Sequence, residues 1–434
     1  MTYLSRIAIL LVALLGVTLT GALAQDNEEA ERSGFIRFVE EQISAPNMQI
    51  RLIGIEGSLS SDVRLERITI SDDDGVWLTI EEPRLVWQRS ALLRGRLVID
   101  ELSATSLDFV RPPLPDDSLP EPEAGGFSVP ELPVAVQIAE LSLPRASFGE
   151  TVFGLQSVLS LAGSLSLDGG NLAADLDIDR LDGPGGSLDL DATLEGENLD
   201  LQVLLSEPDD GVVANLLNLQ GRPPVALTLA GGGPLDALGI DLGFDVDGAR
   251  ILEGRLETRR GFLAGATELT FSLGGPLADI LPAREREFFG DRTDLAGRLL
   301  LDDDDGTRIE EVTIESGALN GRVTGRLLPD AFPAELGADF RLARPGGGPV
   351  SLPGAGDVTV GSARITLDYG GADWTARADM EALATPGLSI GSVGIGGSGT
   401  LADLPDPNAR SVSFALTGAA RALEAADAAL SEAL

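Results

Sequence analysis

Two runs of aspartate that end in glycine have the residue type and spacing that suggest a metal site. They are Asp72-Asp73-Asp74-Gly75 and Asp302 to Asp305 before Gly306. In a calcium-binding EF-hand loop the glycine is the sixth residue, so the first ligand would be Ile70 or Leu301, and neither side chain can coordinate calcium. Asp-Gly between alternating apolar runs is instead a strong hairpin signal. We therefore expect hairpin turns at both positions and no metal ion.

Closely spaced carboxylates are the second candidate chemistry, because two acidic groups can act as general acid and base. The aspartates at positions 175, 177 and 179, and those at 189 and 191, alternate with apolar residues, which places them on the solvent face of a strand. The chain has no cysteine and no histidine, so a thiolate nucleophile is excluded and the commonest general base and metal ligand is missing. We expect no enzyme and no cofactor. An enzyme of the β-helical polysaccharide lyase kind would need carboxylates and basic residues clustered on one exposed face.

The elements that carry these residues are predicted by an alternation of Leu, Val and Ile with small or polar residues between Ser142 and Ala419. This period of two places apolar side chains on one face of a strand, and turn-forming residues recur every ~8 to 12 residues. The pattern predicts a mostly β chain, with a long antiparallel or solenoidal sheet that has one apolar face. The residues expected to line this face are Leu159, Leu161, Leu165, Leu167, Leu188, Leu190, Leu199, Leu201 and Val203.

Composition divides the chain into five segments. Residues 1–24 place Arg6 before an uncharged apolar stretch and are predicted to be a single membrane anchor or a signal peptide cleaved after Ala24. Either alternative exports the rest of the chain. Residues 26–46 are predicted to be a short helix, 47–111 an N-terminal β-region, 112–133 a linker or loop with seven prolines, and 134–434 the repetitive β-region.

Within these segments the alternation and the turn residues predict individual elements. The strands expected before the linker are Gln49 to Ile55, Val63 to Ile70, Val76 to Ile80, Arg84 to Trp87 and Leu97 to Phe109. The helical turns expected after it are Val213 to Leu217, Asp279 to Phe289 and Ala426 to Leu434.

The formal charge of −38 limits the partners. A strongly acidic chain repels nucleic acid and anionic lipid headgroups. We therefore expect no nucleic-acid partner, and any contact with lipid is expected to involve apolar surface.

Several stretches, in order along the chain, resemble the TamB family. The stretch from Leu52 to Pro113 contains Gly57-Ser58-Leu59, Leu65 to Ile68, Asp72 to Leu78, Leu85-Val86-Trp87, Ala91 to Leu97 and Arg111-Pro112-Pro113. Later pieces are Leu216 to Pro224 followed by Gly231 to Leu235, and then Leu281-Pro282, Phe288-Phe289-Gly290 and Arg292-Thr293. TamB proteins are the inner-membrane subunits of the translocation and assembly module and are akin to AsmA-like and bridge-like lipid transfer proteins.

The resemblance implies one N-terminal span in the bacterial inner membrane and a periplasmic β-structure rolled into a taco-like groove with an apolar lining. It also implies an outer-membrane barrel partner of the TamA-like assembly class. The expected function is assembly of outer-membrane proteins such as autotransporters, or transfer of phospholipid from the inner to the outer membrane. Family members are usually longer and end in a characteristic domain, so the resemblance predicts that this chain is truncated.

Two alternatives stay open at this stage. Lipid and nascent outer-membrane protein are not distinguished as cargo, because an apolar face and a strand edge suit both. The chain is alternatively an exported structural or adhesive β-solenoid, whose apolar residues would fill a closed core and leave no groove.

Overall fold

The computed structural model describes residues 48–58, 61–114, 134–260, 266–302, 306–402 and 409–425. The predicted membrane segment 1–24, the helix 26–46, most of the linker 112–133, Asp303 to Asp305 and the final helical turn lie outside the described residues. The described chain is mostly β and forms two compact units. Unit 1 contains the described residues up to Gly196 and Gln202–Asn218, and unit 2 contains Glu197–Leu201 and the described residues from Leu219 onward.

Unit 1 consists of strands and three short helices. Its strands are β1 (Gln49–Ile53), β2 (Glu56–Ser58), β3 (Asp62–Arg64), β4 (Arg67–Asp72), β5 (Gly75–Glu81), β6 (Arg84–Trp87), β7 (Arg96–Ser103), β8 (Ser106–Phe109), β9 (Ala135–Phe148), β10 (Ser157–Asp168), β11 (Asn171–Arg180) and β12 (Ser187–Glu195). Its helices are α1 (Arg89–Leu92), α2 (Glu150–Phe153) and α3 (Val212–Leu216). One further strand, β13 (Asn198–Glu207), has residues in both units.

The long strand β9 joins the two parts of the sheet in unit 1. It pairs in parallel with β7 through its first half and with β8 through its last residues. On its other side it pairs with β10, and an antiparallel meander continues through β11 to β12. Parallel neighbours need a crossover connection, which runs here from β8 to β9 through the proline-rich segment.

Two strands predicted as continuous are divided in the structure. The predicted strand Val63 to Ile70 becomes β3 and β4, because the backbone N–H of Leu65 donates to Pro83 and that of Glu66 to Ile53. The predicted strand Leu97 to Phe109 becomes β7 and β8, which have different antiparallel partners, β6 and β5. Each prediction wrongly joined two strands into one. The alternation of apolar and polar side chains continues across the residues where the backbone changes its partner strand, so the alternation does not reveal the break.

The fully buried core of unit 1 lies at its N-terminal end. Leu97 and Ile99 of β7 pack with Trp87, Leu85 and Val63. A second group of rings extends along the neighbouring edge, with ring centroids 5.6 Å apart for Trp77 and Phe109, 6.1 Å for Phe109 and Phe148, and 5.0 Å for Phe148 and Phe153. Trp77 and Trp87 are thus buried packing residues.

Unit 2 is an antiparallel meander throughout its described pairs. Its strands are β14 (Val225–Pro234), β15 (Gly239–Val246), β16 (Ala249–Arg260), β17 (Ala266–Gly275), β18 (Thr293–Asp302), β19 (Gly306–Glu315), β20 (Leu319–Leu327), β21 (Pro333–Ala343), β22 (Val350–Ser351), β23 (Thr359–Val360), β24 (Ser362–Gly370), β25 (Asp373–Thr385), β26 (Leu388–Ala402) and β27 (Ser411–Ala425). The small pair β22–β23 is inserted between β21 and β24, which are themselves paired.

Short helices cover one end of the strands in unit 2. The predicted helical turn Asp279 to Phe289 is two pieces, a 3₁₀ helix (Leu277–Ile280) and α4 (Arg286–Phe289), with Pro282 between them as a helix breaker. Phe288 of α4 packs against the buried cluster of Ala318, Leu342, Val350 and Val360. The turn predicted at Val213 to Leu217 is confirmed as α3 within one residue.

Candidate functional site

The cross-strand register of unit 1 assembles the predicted leucines into rows. Leu161 lies opposite Ile178, which lies opposite Leu188, and Leu176 lies opposite Leu190 in the next row. Because directly opposed residues point to the same face, these rows form one continuous apolar face over β10, β11 and β12. We call it the unit 1 apolar face.

Six of the nine predicted lining residues lie on the strands of this face. Leu159, Leu161, Leu165 and Leu167 lie in β10, and Leu188 and Leu190 in β12, so six of them are brought together. The other three lie in β13, where Leu199 and Leu201 belong to unit 2 and Val203 belongs to unit 1. All nine are half-buried.

Burial falls from the edge of the unit 1 apolar face toward its middle. Ile99 is 0% exposed, and Ile138, opposite it on β9, is 8% exposed. Leu165, opposite Ile138, is only half-buried, as are Leu161, Leu176, Leu188 and Leu190, whereas Leu194 near the end of β12 is 6% exposed. A closed core would bury these central residues as fully as Ile99, so the face is open to solvent between its packed margins.

Two bulges keep the side chains of β9 on this face. Ile138 and Leu141 are three residues apart, yet they lie opposite Leu165 and Gly163, which are two apart. A second irregularity of the same kind separates Leu143 from Ala146. After each bulge the apolar side chains of β9 again point to the unit 1 apolar face. The second bulge also accommodates Pro144, which an uninterrupted central strand would exclude.

The opposite face of the same strands carries unneutralised acid. Asp175 lies opposite Asp191, and Asp177 lies opposite Asp189. All four are exposed, and no arginine forms an ion pair with them within the part of the chain that the structure describes. The prediction that these carboxylates face solvent is confirmed, and directly opposed like charges weaken the pairing of the strands that carry them.

Unit 2 has its own apolar face, built in the same way. One row runs from Leu256 on β16 through Phe271 and Gly297 to Val312 on β19. Residues in the middle of the face are half-buried, whereas fully buried residues such as Ile251 and Ala318 lie toward the strand ends. We call this surface the unit 2 apolar face.

Exposure is greatest at the last described strand of unit 2. Phe414 is 68% exposed and Leu416 is 65% exposed, both on the apolar side of β27. Two fully packed sheets would hide such rings, so this part of the face is also open.

The polar face of unit 2 differs from that of unit 1 because many of its charged residues form ion pairs. The carboxylates of Glu257 and Asp241 raise the pKa of Arg255, with which both form ion pairs. The guanidinium of Arg364 lowers the pKa of Asp339 below its ordinary value. Other pairs are Arg292–Glu253, Arg292–Asp294, Arg322–Glu311, Arg344–Glu287 and Arg377–Asp379.

Two concavities on unit 2 contain such charged residues. One of about 490 Å³ is lined by Arg255, Glu253, Arg292 and Asp294 among others, and one of about 450 Å³ is lined by Arg308, Arg326 and Glu335 among others. In the first, Arg292 forms ion pairs with Glu253 and Asp294, and Arg255 forms one with Asp241, which also lines the hollow. These hollows are therefore consistent with solvated strand surface.

The first aspartate run is a hairpin, as the sequence predicts. Asp72 lies opposite Gly75 at the turn from β4 to β5. The Asp72 side chain is fully buried and accepts hydrogen bonds from the Arg111 guanidinium, from the Leu114 backbone N–H at 2.9 Å and from the Asp74 backbone N–H at 3.0 Å. Arg111 holds the pKa of Asp72 far below its usual range. The run thus fastens the segment after β8 to the β4–β5 hairpin.

A buried glutamate that sequence reasoning missed fixes helix α3. Glu207 is 8% exposed, and its carboxylate accepts hydrogen bonds from the backbone N–H groups of Val212 at 3.1 Å and Val213 at 2.7 Å. Asn215 then donates from its side-chain amide to the Phe153 carbonyl, which joins α3 to α2. An acidic residue a few positions before a short apolar helix was the available signal.

Nothing in the described residues suggests a catalytic or metal centre. They hold no group of three or more acidic, histidine or cysteine side chains arranged for a metal ion. The same part of the chain has no helix with the length and hydrophobicity needed to cross a membrane. The sequence matches no protein-family model and no curated protein, and the structure matches no solved structure.

Proposed function

We propose that this chain is a transport or assembly protein of the bacterial cell envelope. Its apolar faces would shield the acyl chains of phospholipids, or the apolar side of nascent outer-membrane strands, on the way from the inner to the outer membrane. The observation that carries the proposal is that the central residues of both apolar faces are half-buried and lie between packed margins.

The energy available from such a surface is sufficient to hold an acyl chain. Transfer from water stabilises a hydrocarbon by about 0.8 kcal/mol for each buried methylene group. Covering ten methylene groups would therefore contribute about 8 kcal/mol, before the cost of ordering the chain is subtracted. Rows such as Leu161, Ile178 and Leu188 contain no polar side chain and give cargo no fixed hydrogen-bonding position, which suits passage along the face.

Charge supports recognition through the apolar part of the cargo. With a formal charge of −38 and opposed aspartates on the unit 1 polar face, the chain repels anionic headgroups. Headgroups would then stay in water while the acyl chains lie against the apolar face.

Location and partners belong to the same proposal. The uncharged stretch after Arg6 would anchor the chain in the inner membrane, with the bulk in the periplasm. A TamA-like outer-membrane barrel of the assembly class would receive the cargo, in line with the TamB resemblance. Nascent outer-membrane protein, including autotransporters, is the alternative cargo.

The competing proposal of a structural or adhesive β-solenoid is less well supported. A solenoid fills its interior with fully buried side chains and stacks its strands in parallel. Here the meanders through β10–β12 and through unit 2 are antiparallel, and the central leucines are half-buried.

Site-specific photo-crosslinking separates these proposals. A photo-reactive phenylalanine analogue is placed at Leu190 on the unit 1 apolar face, and at Asp189 on the opposite face of the same strand as the matched control. In membranes that contain labelled phospholipid, we expect lipid adducts at position 190 and not at 189. Adducts with outer-membrane proteins at 190 would identify the alternative cargo. Absence of both from position 190, or equal labelling at the two positions, would refute the transport proposal.

A further inference from the structure

Three aromatic side chains on the unit 2 apolar face lie across a glycine of a neighbouring strand. A fourth ring, that of Phe414, is also opposite a glycine, Gly399, but it is 68% exposed. Phe271 on β17 is opposite Gly297 on β18, and Phe340 on β21 is opposite Gly321 on β20. Trp374 on β25 is opposite Gly399 on β26 and also reaches Gly397. The pairs are in different rows of the face and involve different hairpins.

Distances show that each ring lies across its glycine. A Cβ atom at Gly297 would be 2.5 Å from both Cε1 and Cζ of Phe271, and one at Gly321 would be 2.5 Å from Cε1 of Phe340. A Cβ atom at Gly397 would be 3.0 Å from Cζ3 of Trp374. The space that a β-carbon would occupy is therefore filled by a ring lying low against the sheet.

The indole of Trp374 is additionally held by a hydrogen bond. Its Nε1–H donates to the Ser413 carbonyl on β27 at 3.2 Å. This bond spans β26 and fixes the ring over the two glycines beneath it.

These positions suit glycine because an aromatic ring occupies the space of a side chain, and not because the φ angle requires glycine. None of Gly297, Gly321 and Gly397 has a positive φ angle, and the atoms nearest to a Cβ at each belong to side chains. Gly399 differs, because its Cβ atom would overlap the backbone carbonyl oxygen of Ser413. The pairing is also not a general feature of the aromatic residues on this face, since Phe244 lies between Leu227 and Leu252. Cross-strand packing of a ring over a glycine is a known way to protect the exposed backbone of a sheet.

We infer that the three ring-over-glycine pairs set the height of the unit 2 apolar face, so that a linear acyl chain can move across its strands. The inference rests on the proposed function and makes the cargo at this face an unbranched acyl chain. The rings of Phe271, Phe340 and Trp374 are half-buried, whereas Ile365 and Ile395 on the same face are 47% and 43% exposed, so these rings are less exposed than the aliphatic side chains near them. A methyl group at the glycine lifts the ring and places an obstacle in the path.

The test is phospholipid transfer between donor and acceptor vesicles of phosphatidylcholine, measured with the full chain and fluorescent acyl-labelled lipid. Gly297→Ala and Gly321→Ala are expected to slow transfer roughly tenfold, since a lifted ring costs about as much as overpacking a core. Gly418→Ala is the matched control. It is on the same face opposite Ile395, and its new Cβ atom would meet only a backbone oxygen at 3.9 Å. It should transfer lipid at the wild-type rate.

A compensating substitution separates obstruction from misfolding. In Gly297→Ala with Phe271→Leu the large ring is gone, so transfer should return toward the wild-type rate. Transfer by the Gly297→Ala variant equal to that of Gly418→Ala, or a double variant as slow as the single one, would overturn the inference while the proposed function stands. No transfer by the wild-type chain would overturn the proposed function itself.

Discussion

The openness of the unit 1 apolar face can be measured by making one substitution in two places. Ile99 of β7 and Ile178 of β11 are on the same side of the sheet, and each is changed to Ala. Ile99 is 0% exposed and packs with Trp87 and Leu85, whereas Ile178 is half-buried between Leu161 and Leu188. The same three carbon atoms are removed from a closed site and from an open one.

The expected costs follow from the burial. Removing three fully buried carbons forfeits about 2.4 kcal/mol of transfer free energy, and the cavity left at Ile99 brings the loss to about 3–4 kcal/mol. At Ile178 up to about a third of that area already faces water and no closed cavity forms, so we expect about 1.5 kcal/mol. The two variants should differ by about 2 kcal/mol in the free energy of unfolding of unit 1.

Tryptophan fluorescence during urea unfolding provides the assay. The chain has three tryptophans, and in a Trp374→Phe background the remaining two, Trp77 and Trp87, both report on unit 1. Hydrogen exchange of β11 and β12 peptides checks that the loss at Ile178 is local. Equal destabilisation by the two substitutions would mean that the central rows are covered in solution, and the case for an open face would fail.

Three further predictions concern contacts that hold neighbouring segments of the fold together. Asp72→Asn should raise hydrogen exchange at residues 110–114 at neutral pH, with Asp73→Asn as a silent control. The pKa of Asp72 is lower in the folded state than its ordinary value. The ionised carboxylate therefore stabilises the fold at pH values above that ordinary pKa, and this stabilisation is lost as the pH falls below it. Acid should therefore raise hydrogen exchange at residues 110–114, as Asp72→Asn does. Glu207→Ala should cost about 1–3 kcal/mol by leaving two helix N–H groups unpaired, measured by exchange in α3, and unchanged exchange there would contradict the cap. Gly163→Ala should disrupt the β10–β11 pairing, because its Cβ atom would overlap the Asp175 carbonyl oxygen, and a wild-type exchange pattern would refute this.

The sequence predicts well those features that depend on neighbouring residues. Alternation identifies the strands of both units, and Asp74-Gly75 identifies the hairpin between β4 and β5. Alternation also separates the two faces of β11, with exposed aspartates on one side and half-buried apolar residues on the other. In each case the information lies within a few residues, where strand geometry alone decides which way a side chain points.

Features that depend on register between distant residues could not be predicted in this way. Asp72 and Arg111 are 39 residues apart, and nothing near either residue indicates the other. The pairing of Phe271 with Gly297 requires that two strands meet without a shift of one residue, which alternation leaves undetermined. The bulges of β9 interrupt the alternation itself, so Ile138 and Leu141 look like residues of opposite faces until the partner strand is known.

The apolar face of β11 and β12 can stay open only if another feature of the same strands opposes association with a second sheet. An uncovered row of leucines would be covered by a second sheet or a second copy unless something opposes association. The opposed pairs Asp175–Asp191 and Asp177–Asp189 weaken the local pairing of strands, and no arginine neutralises them in the described residues. In unit 2, by contrast, many carboxylates form ion pairs with arginine. Charge of one sign on the polar side makes close approach of another copy of unit 1 unfavourable. We therefore regard the unneutralised aspartates as the feature that keeps the unit 1 apolar face available to cargo.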